Sequence, residues 1–300
     1  MIKKISITLF LLSVLNFKTS AQVFDIPEKK IGIFEVMFSG GKTSSYYGID
    51  GSTRLFDIIG TTLTSVTLTN KIDLKLTSNL TANMELPLNY IYLISDSLFP
   101  ERSILNIKHF GIGLTYWFLN SSNFVLGFSS MFKIPNGFHQ GLYNDTKYLS
   151  FWGDGYFQFN SNGIIKYKLE DQFIKFTLGY NWRDEEAKDE ILYKVEAGTS
   201  KTKGTGLLLF CEGVVSTKNP ANPSKAFYPG SSGESYNNEV TQGGDGKFYM
   251  IESENYTSLG AKVIVYLTND LFLDGSYSIK LFGVNTLLLN QANFGIGYPF

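Results

Sequence analysis

The strongest constraint on this chain is a period of two that holds over ten or more residues at a time. In "LTANMELPLNY", Leu80, Ala82, Met84, Leu86, Leu88 and Tyr90 share one face, and Thr81, Asn83, Glu85, Pro87 and Asn89 share the other. "QFIKFTLGYNWR" sets Ile174, Phe176, Leu178, Tyr180 and Trp182 opposite Lys175, Thr177, Asn181 and Arg183. "LFLDGSYSIKLF" sets Leu271, Leu273, Tyr277, Ile279 and Leu281 opposite Asp274, Ser276, Ser278 and Lys280. Successive side chains of a strand point to opposite sides, so each stretch is a strand with one apolar and one polar face. A composition of 15% aromatic residues with 29 Gly and 18% charged residues favours sheet over helix.

The alternation predicts about twelve strands, near 31–39, 60–76, 79–94, 105–119, 123–135, 148–169, 172–183, 189–201, 204–217, 246–268, 271–283 and 286–300. Fourteen remain an alternative, because Asn160-Ser161-Asn162-Gly163 is a turn signal inside the sixth segment and 246–257 reads ambiguously. A bulge or bend is the expectation at 160–163. Connections after even-numbered strands are short: 77–78, 120–122, 170–171, 202–203 and 269–270. Those after odd-numbered strands are mostly long: 40–59, 95–104, 136–147, 184–188 and 218–245, with 284–285 the exception. Short turns at one end and long loops at the other mark an up-and-down antiparallel barrel that crosses a membrane.

Alternation alone suits a soluble sandwich as well as a membrane barrel. Charge placement bears on the choice. Glu35, Lys71, Asp73, Lys75, Glu85, Lys133, Lys166, Lys168, Lys175, Arg183, Lys194, Glu196, Glu212, Lys262, Asp274 and Lys280 all fall on the polar face. A Lys or Arg facing lipid at mid-bilayer costs about 2–4 kcal/mol, so this phase fixes which side is lumen. Aromatic residues gather toward strand ends, among them Tyr90, Tyr116, Phe118, Tyr180, Trp182 and Tyr266, where an interfacial girdle would lie.

Both chain ends fit a barrel of the outer membrane. Residues 1–21 read as a signal peptide: Lys3 and Lys4, an apolar stretch from Ile5 to Phe17, and Thr19-Ser20-Ala21 as a small-residue cleavage site. Residues 22–300 then form a single domain. Removing Lys3, Lys4 and Lys18 leaves 23 basic residues against 27 acidic ones, a balance that implies no nucleic-acid partner. Cys211 is the one cysteine, so no disulfide framework or Cys-based metal site is expected. "NFGIGYPF" places Phe294, Ile296, Tyr298 and Phe300 on one face of a closing strand that pairs with the first strand near 31–39. With an even strand count both ends fall on one side, expected to be the periplasm.

Several segments together resemble the outer-membrane transporters grouped under the MetA pathway of phenol degradation, near the fatty-acid and aromatic-hydrocarbon transporter superfamily. They are "LTSNLTANMELPLNY", "FGIGLTYWF", "FKIPNG", "WGDGYFQF", "LGYNWRDEEAKDEILYKVEAG" and "LTNDLFLDGSYSIKLFGVNT", spread over most of residues 22–300. The resemblance implies an outer-membrane barrel passing small, often apolar molecules. It also implies that Tyr298 and Phe300 serve as the assembly signal read by barrel-insertion machinery. Residues 22–30 are too short for the N-terminal plug of fatty-acid transporters.

Other chemistry is thinly supported. The two histidines are His109, on the polar face of the fourth strand, and His139, in a long loop. Neither sits in a Ser–His arrangement that a barrel lipid hydrolase would need. Gly153-Asp154-Gly155 and Gly244-Asp245-Gly246 read as turns, without the ligand pattern of a calcium loop. "RDEEAKDE" (183–190) reads as a solvated acidic run, with cation-bridged lipopolysaccharide phosphate as the alternative. No catalytic residue, metal or cofactor is expected. The expected function is passive passage of small molecules, apolar or aromatic ones included. Its candidate lumen residues are Lys71, Asp73, Lys75, Glu85, Lys133, Lys166, Lys175, Arg183, Lys194, Glu196, Glu212, Lys262, Asp274 and Lys280. The alternative is a closed-lumen barrel that acts structurally or through its outer loops. Expected partners are outer-membrane lipid, lipopolysaccharide, the barrel-assembly machinery and a small solute.

Overall fold

A computed structural model describes residues 30–47, 53–55, 62–94, 102–107, 109–135, 157–183, 189–199, 204–217, 255–268, 271–284 and 286–300. The signal peptide, His139, both Gly-Asp-Gly turns and the loop 218–245 lie outside the described residues. The described residues form sixteen strands. The first eight are β1 (Gly32–Thr43), β2 (Ser45–Tyr47), β3 (Thr53–Leu55), β4 (Thr62–Lys75), β5 (Leu80–Ile94), β6 (Arg102–Ile107), β7 (His109–Asn120) and β8 (Phe124–Pro135). There follow β9 (Gln158–Leu169), β10 (Gln172–Arg183), β11 (Glu190–Thr199), β12 (Thr205–Ser216), β13 (Asn255–Thr268), β14 (Leu271–Val284), β15 (Thr286–Leu287) and β16 (Gln291–Pro299).

Twelve of these positions around the sheet make a closed antiparallel barrel. β1 pairs with β16 on one side and β4 on the other, and β4 pairs in turn with β5, so the ring of strands closes. β6 and β7 act as one interrupted strand, since both pair with β5. Closure pairs the strand backbones with one another around the wall, as hydrocarbon requires. The strands run from 9 residues in β16 to 15 in β5, enough to span a bilayer when tilted.

Two details differ from the sequence reading. The segment 160–163 carries neither a hairpin nor a bulge: β9 pairs with both β8 and β10 through Asn160–Gly163 without a register shift. The reason lies in the phase. Asn160 and Asn162 fall on the lumen side, where amides are at home, so a loop-like composition sits in an ordinary strand. The second difference is at 286–300. The barrel strand starts at Gln291, and Thr286–Leu287 instead pairs with Tyr46–Tyr47 in a small three-stranded sheet with β3. The connection after β14 is therefore longer than 284–285.

The outward face is apolar. Leu178 is 65% exposed and Phe118 64%, with Ile112, Phe176, Leu207, Leu209, Phe294 and Ile296 similarly open. Exposed apolar side chains on this scale have no place in water, and their partner is lipid.

Candidate functional site

The lumen is divided into a packed part and an open part. The packed part is built from apolar residues that break the alternation. Ile33 of β1, Ile264 of β13 and Phe272 of β14 form one buried cluster, with Tyr266 packed against it. Phe173 of β10 and Leu208 and Phe210 of β12 form another. Each lies on the polar phase of its strand, toward the end where the short turns join strands. Burying such side chains contributes roughly 1.5–3 kcal/mol apiece. They stabilise the barrel from within.

Charges sit directly on this filling. Lys175 Nζ lies 2.6 Å from Glu196 Oε2, and Glu196 Oε1 is 3.4 Å from Lys194. Lys194 also meets Glu212 at 2.9 Å, and its ammonium lies 4.8 Å above the Phe210 ring. Lys166 is buried with its ammonium 5.0 Å above the Phe173 ring. Lys262 and Asp274 pair at 2.9 Å and are both buried. Register explains the cluster: Lys166, Lys175, Glu196 and Phe210 occupy one hydrogen-bonded row across β9 to β12.

The open part is a cavity of about 900 Å³ along β4, β5, β7, β8 and β9, reaching across to β11 and β12. It extends to the short-turn rim, where Ser78 and Asn120–Ser122 are exposed. Of the fourteen candidate lumen residues, Lys71, Asp73, Lys75, Glu85, Lys133, Lys194, Glu196 and Glu212 line it, as does Lys168. Lys166, Lys175, Arg183, Lys262, Asp274 and Lys280 do not belong to its lining. Arg183 meets Glu190 at 3.0 Å, and Lys280 donates to Thr286 Oγ1 at 2.6 Å with its ammonium 4.0 Å from the Tyr256 ring.

Several charges along the cavity are matched locally. Glu85 Oε1 receives His109 Nε2 at 2.7 Å and Lys133 Nζ at 3.4 Å. Asn83 Nδ2 donates to Asp73, and Thr115 donates to Asn83 at 2.9 Å. His109 is thus held by a carboxylate within the lumen wall. In the acidic run 183–190, Asp189 accepts from the Tyr180 hydroxyl at 2.5 Å and from the Arg183 backbone N–H at 3.0 Å, so part of that run is folded onto β10. Residues 184–188 lie outside the described residues.

Sequence reasoning missed two parts of this site. One is the apolar filling, whose signal was apolar residues in the polar phase. The other is Trp117, which lines the cavity beside its register partner Gly127. A Cβ on Gly127 would run into the six-membered ring of Trp117, so the indole lies over the glycine on the lumen side. Tyr298 is exposed on the outer face, and Phe300 packs over Gly32, whose backbone N–H donates to the Phe300 carbonyl at 3.0 Å.

No family model matches this sequence, and no curated protein matches it. Solved structures do. The COG4313 outer membrane channel from Pseudomonas putida F1 is similar over 94% of this chain and 100% of its own, with a TM-score of 0.69 and 14% identity. The NanC porin covers 89% of this chain and 98% of its own, with a TM-score of 0.49 and 8% identity. The CymD monoaromatic hydrocarbon channel covers 95% and 94%, with a TM-score of 0.44 and 10% identity. At 14% identity the first likeness is one of fold. The architecture is that of a twelve-stranded outer-membrane barrel, the fold to which the sequence resemblance pointed.

Proposed function

We propose that this chain is an outer-membrane channel for passive passage of small molecules. The observation that carries the reading is the cavity of about 900 Å³ inside a closed, lipid-facing barrel, lined by charged, polar and apolar residues and reaching the short-turn rim. A barrel meant only as a scaffold could fill its whole lumen as it fills the side near Phe173 and Phe272. The lining charges Lys71, Asp73, Lys75, Glu85, Lys133, Lys194, Glu196 and Glu212 set the field along the path. The buried charges Lys166, Lys175, Arg183, Lys262 and Asp274, with the half-buried Lys280, hold the wall behind it.

Residues 1–21 direct export and are removed, and residues 22–300 form the barrel. The short-turn end, with residue 30 and Phe300, faces the periplasm. The outer face meets lipid and lipopolysaccharide, and Tyr298 and Phe300 engage the barrel-assembly machinery. In this reading the lumen performs no catalysis, and His109, paired with Glu85 at 2.7 Å, belongs to the charged wall. Potassium release from liposomes holding refolded residues 22–300 tests the channel. Tight vesicles with demonstrably folded barrel would contradict it and favour the closed-lumen scaffold.

A further inference from the structure

None of Ile33, Phe173, Leu208, Ile264 and Phe272 lines the cavity, whose apolar lining is limited to Met131, Leu192, Val214 and aromatic rings. Beside its charged residues the cavity presents a stretch of wall rich in uncharged hydrogen-bonding groups. Two register rows build it. One carries Asn83 and Asn160 with Met131 between them, and the other Thr115, Ser129 and Asn162. Asn162 Nδ2 donates to Ser129 Oγ at 3.2 Å, so part of the wall is satisfied internally. Asn160 and Thr177 also belong to the lining.

Trp117 completes the wall near the rim formed by Asn120–Ser122. Lying over Gly127, it fills the space a side chain there would take and presents its surface to the cavity. An aromatic face carries partial negative charge, and the C–H groups of a sugar ring carry partial positive charge. The ring's hydroxyls then meet the amides and hydroxyls of the neighbouring rows. The charges beside this wall are matched in place, Glu85 by Lys133 and His109, and Lys194 by Glu196 and Glu212. With Lys71, Lys75 and Lys168 included, the described lining holds five lysines against four carboxylates, so the cavity as a whole is close to neutral although single charges still tune ion passage. The cavity falls in the range of about 300–1,000 Å³ that suits a small organic ligand.

From the uncharged hydrogen-bonding rows, Trp117 over Gly127, and the matched charges, we infer that the solute is a neutral, hydroxyl-rich molecule of mono- or disaccharide size. This rests on the channel reading and narrows it. The test uses refolded residues 22–300 in liposomes, with folding checked by heat-modifiable gel mobility. Swelling in isosmotic glucose and sucrose is compared with swelling in benzoate, alongside potassium chloride conductance of the same preparation. Glucose entering faster than benzoate is the expected result. Trp117→Ala should slow glucose entry about 2–10-fold relative to conductance, the loss of one aromatic stacking face. Asn160→Leu should act in the same direction and serves if the tryptophan variant fails to fold. Normal conductance with glucose excluded, with benzoate favoured, or with both variants unchanged would overturn the solute class and leave the channel standing. Absent conductance with no entry of any solute would overturn both.

Discussion

Lys175 and Glu196 form an ion pair of 2.6 Å between β10 and β11, with side chains only 1% and 2% exposed. Lys175 lies beneath the lumen surface, Glu196 reaches the cavity lining, and Glu196 is the register partner of Phe210 in the packed cluster. Removing one partner of a buried pair leaves the other charge uncompensated, at a cost of about 3–5 kcal/mol. Lys175→Met should therefore lower the denaturant midpoint sharply in detergent or liposomes. Lys175→Met combined with Glu196→Leu should recover part of that loss. Equal midpoints for Lys175→Met and the parent would show that the pair contributes nothing.

Ion selectivity should follow the charges that line the cavity. Lys133 lines it, with a side chain 24% exposed and 3.4 Å from Glu85. Lys133→Gln removes a positive charge and leaves Glu85 less compensated, so reversal potentials in a salt gradient should move toward cations. The shift should be larger in dilute salt, where screening is weaker. Lys175→Gln should shift selectivity less, because Lys175 is sealed behind the wall. A shift of the same size for both would contradict the division of the lumen.

Barrel closure depends on a contact that tolerates no side chain. A Cβ on Gly32 would meet Phe300 Cζ at 2.6 Å and the Asp73 carbonyl oxygen at 2.7 Å. Overpacking of this kind costs about 1–3 kcal/mol. Gly32→Val should lower the yield of the folded, heat-modifiable form and slow its appearance. Deleting Phe300 should do the same through loss of that cover and of the proposed assembly signal. Parent-like folding of both variants would show that the first and last strands close without that contact.

The barrel was legible in the alternation because lipid on one side and a wet lumen on the other impose opposite polarity on neighbouring residues. The same rule put Lys133, Glu85 and Lys194 on the inner wall. It could not say which inner charges face open space, because that depends on which residues meet across the barrel. Phe173 and Phe210 sit in the polar phase and look like lapses in the pattern, yet they pack together and bury Lys175 and Glu196. Asn160 and Asn162 misled in the other direction: a turn-like composition was simply the lumen face of β9. Trp117 over Gly127 was hidden because their pairing across β7 and β8 is fixed by a register that the sequence does not display.

A single-channel recording of refolded residues 22–300 in a planar bilayer tests the central claim most directly. Steady conductance steps, with reversal potentials moved by Lys133→Gln more than by Lys175→Gln, are the predicted result. Silence from a barrel shown to be folded and inserted would contradict the claim that the cavity conducts.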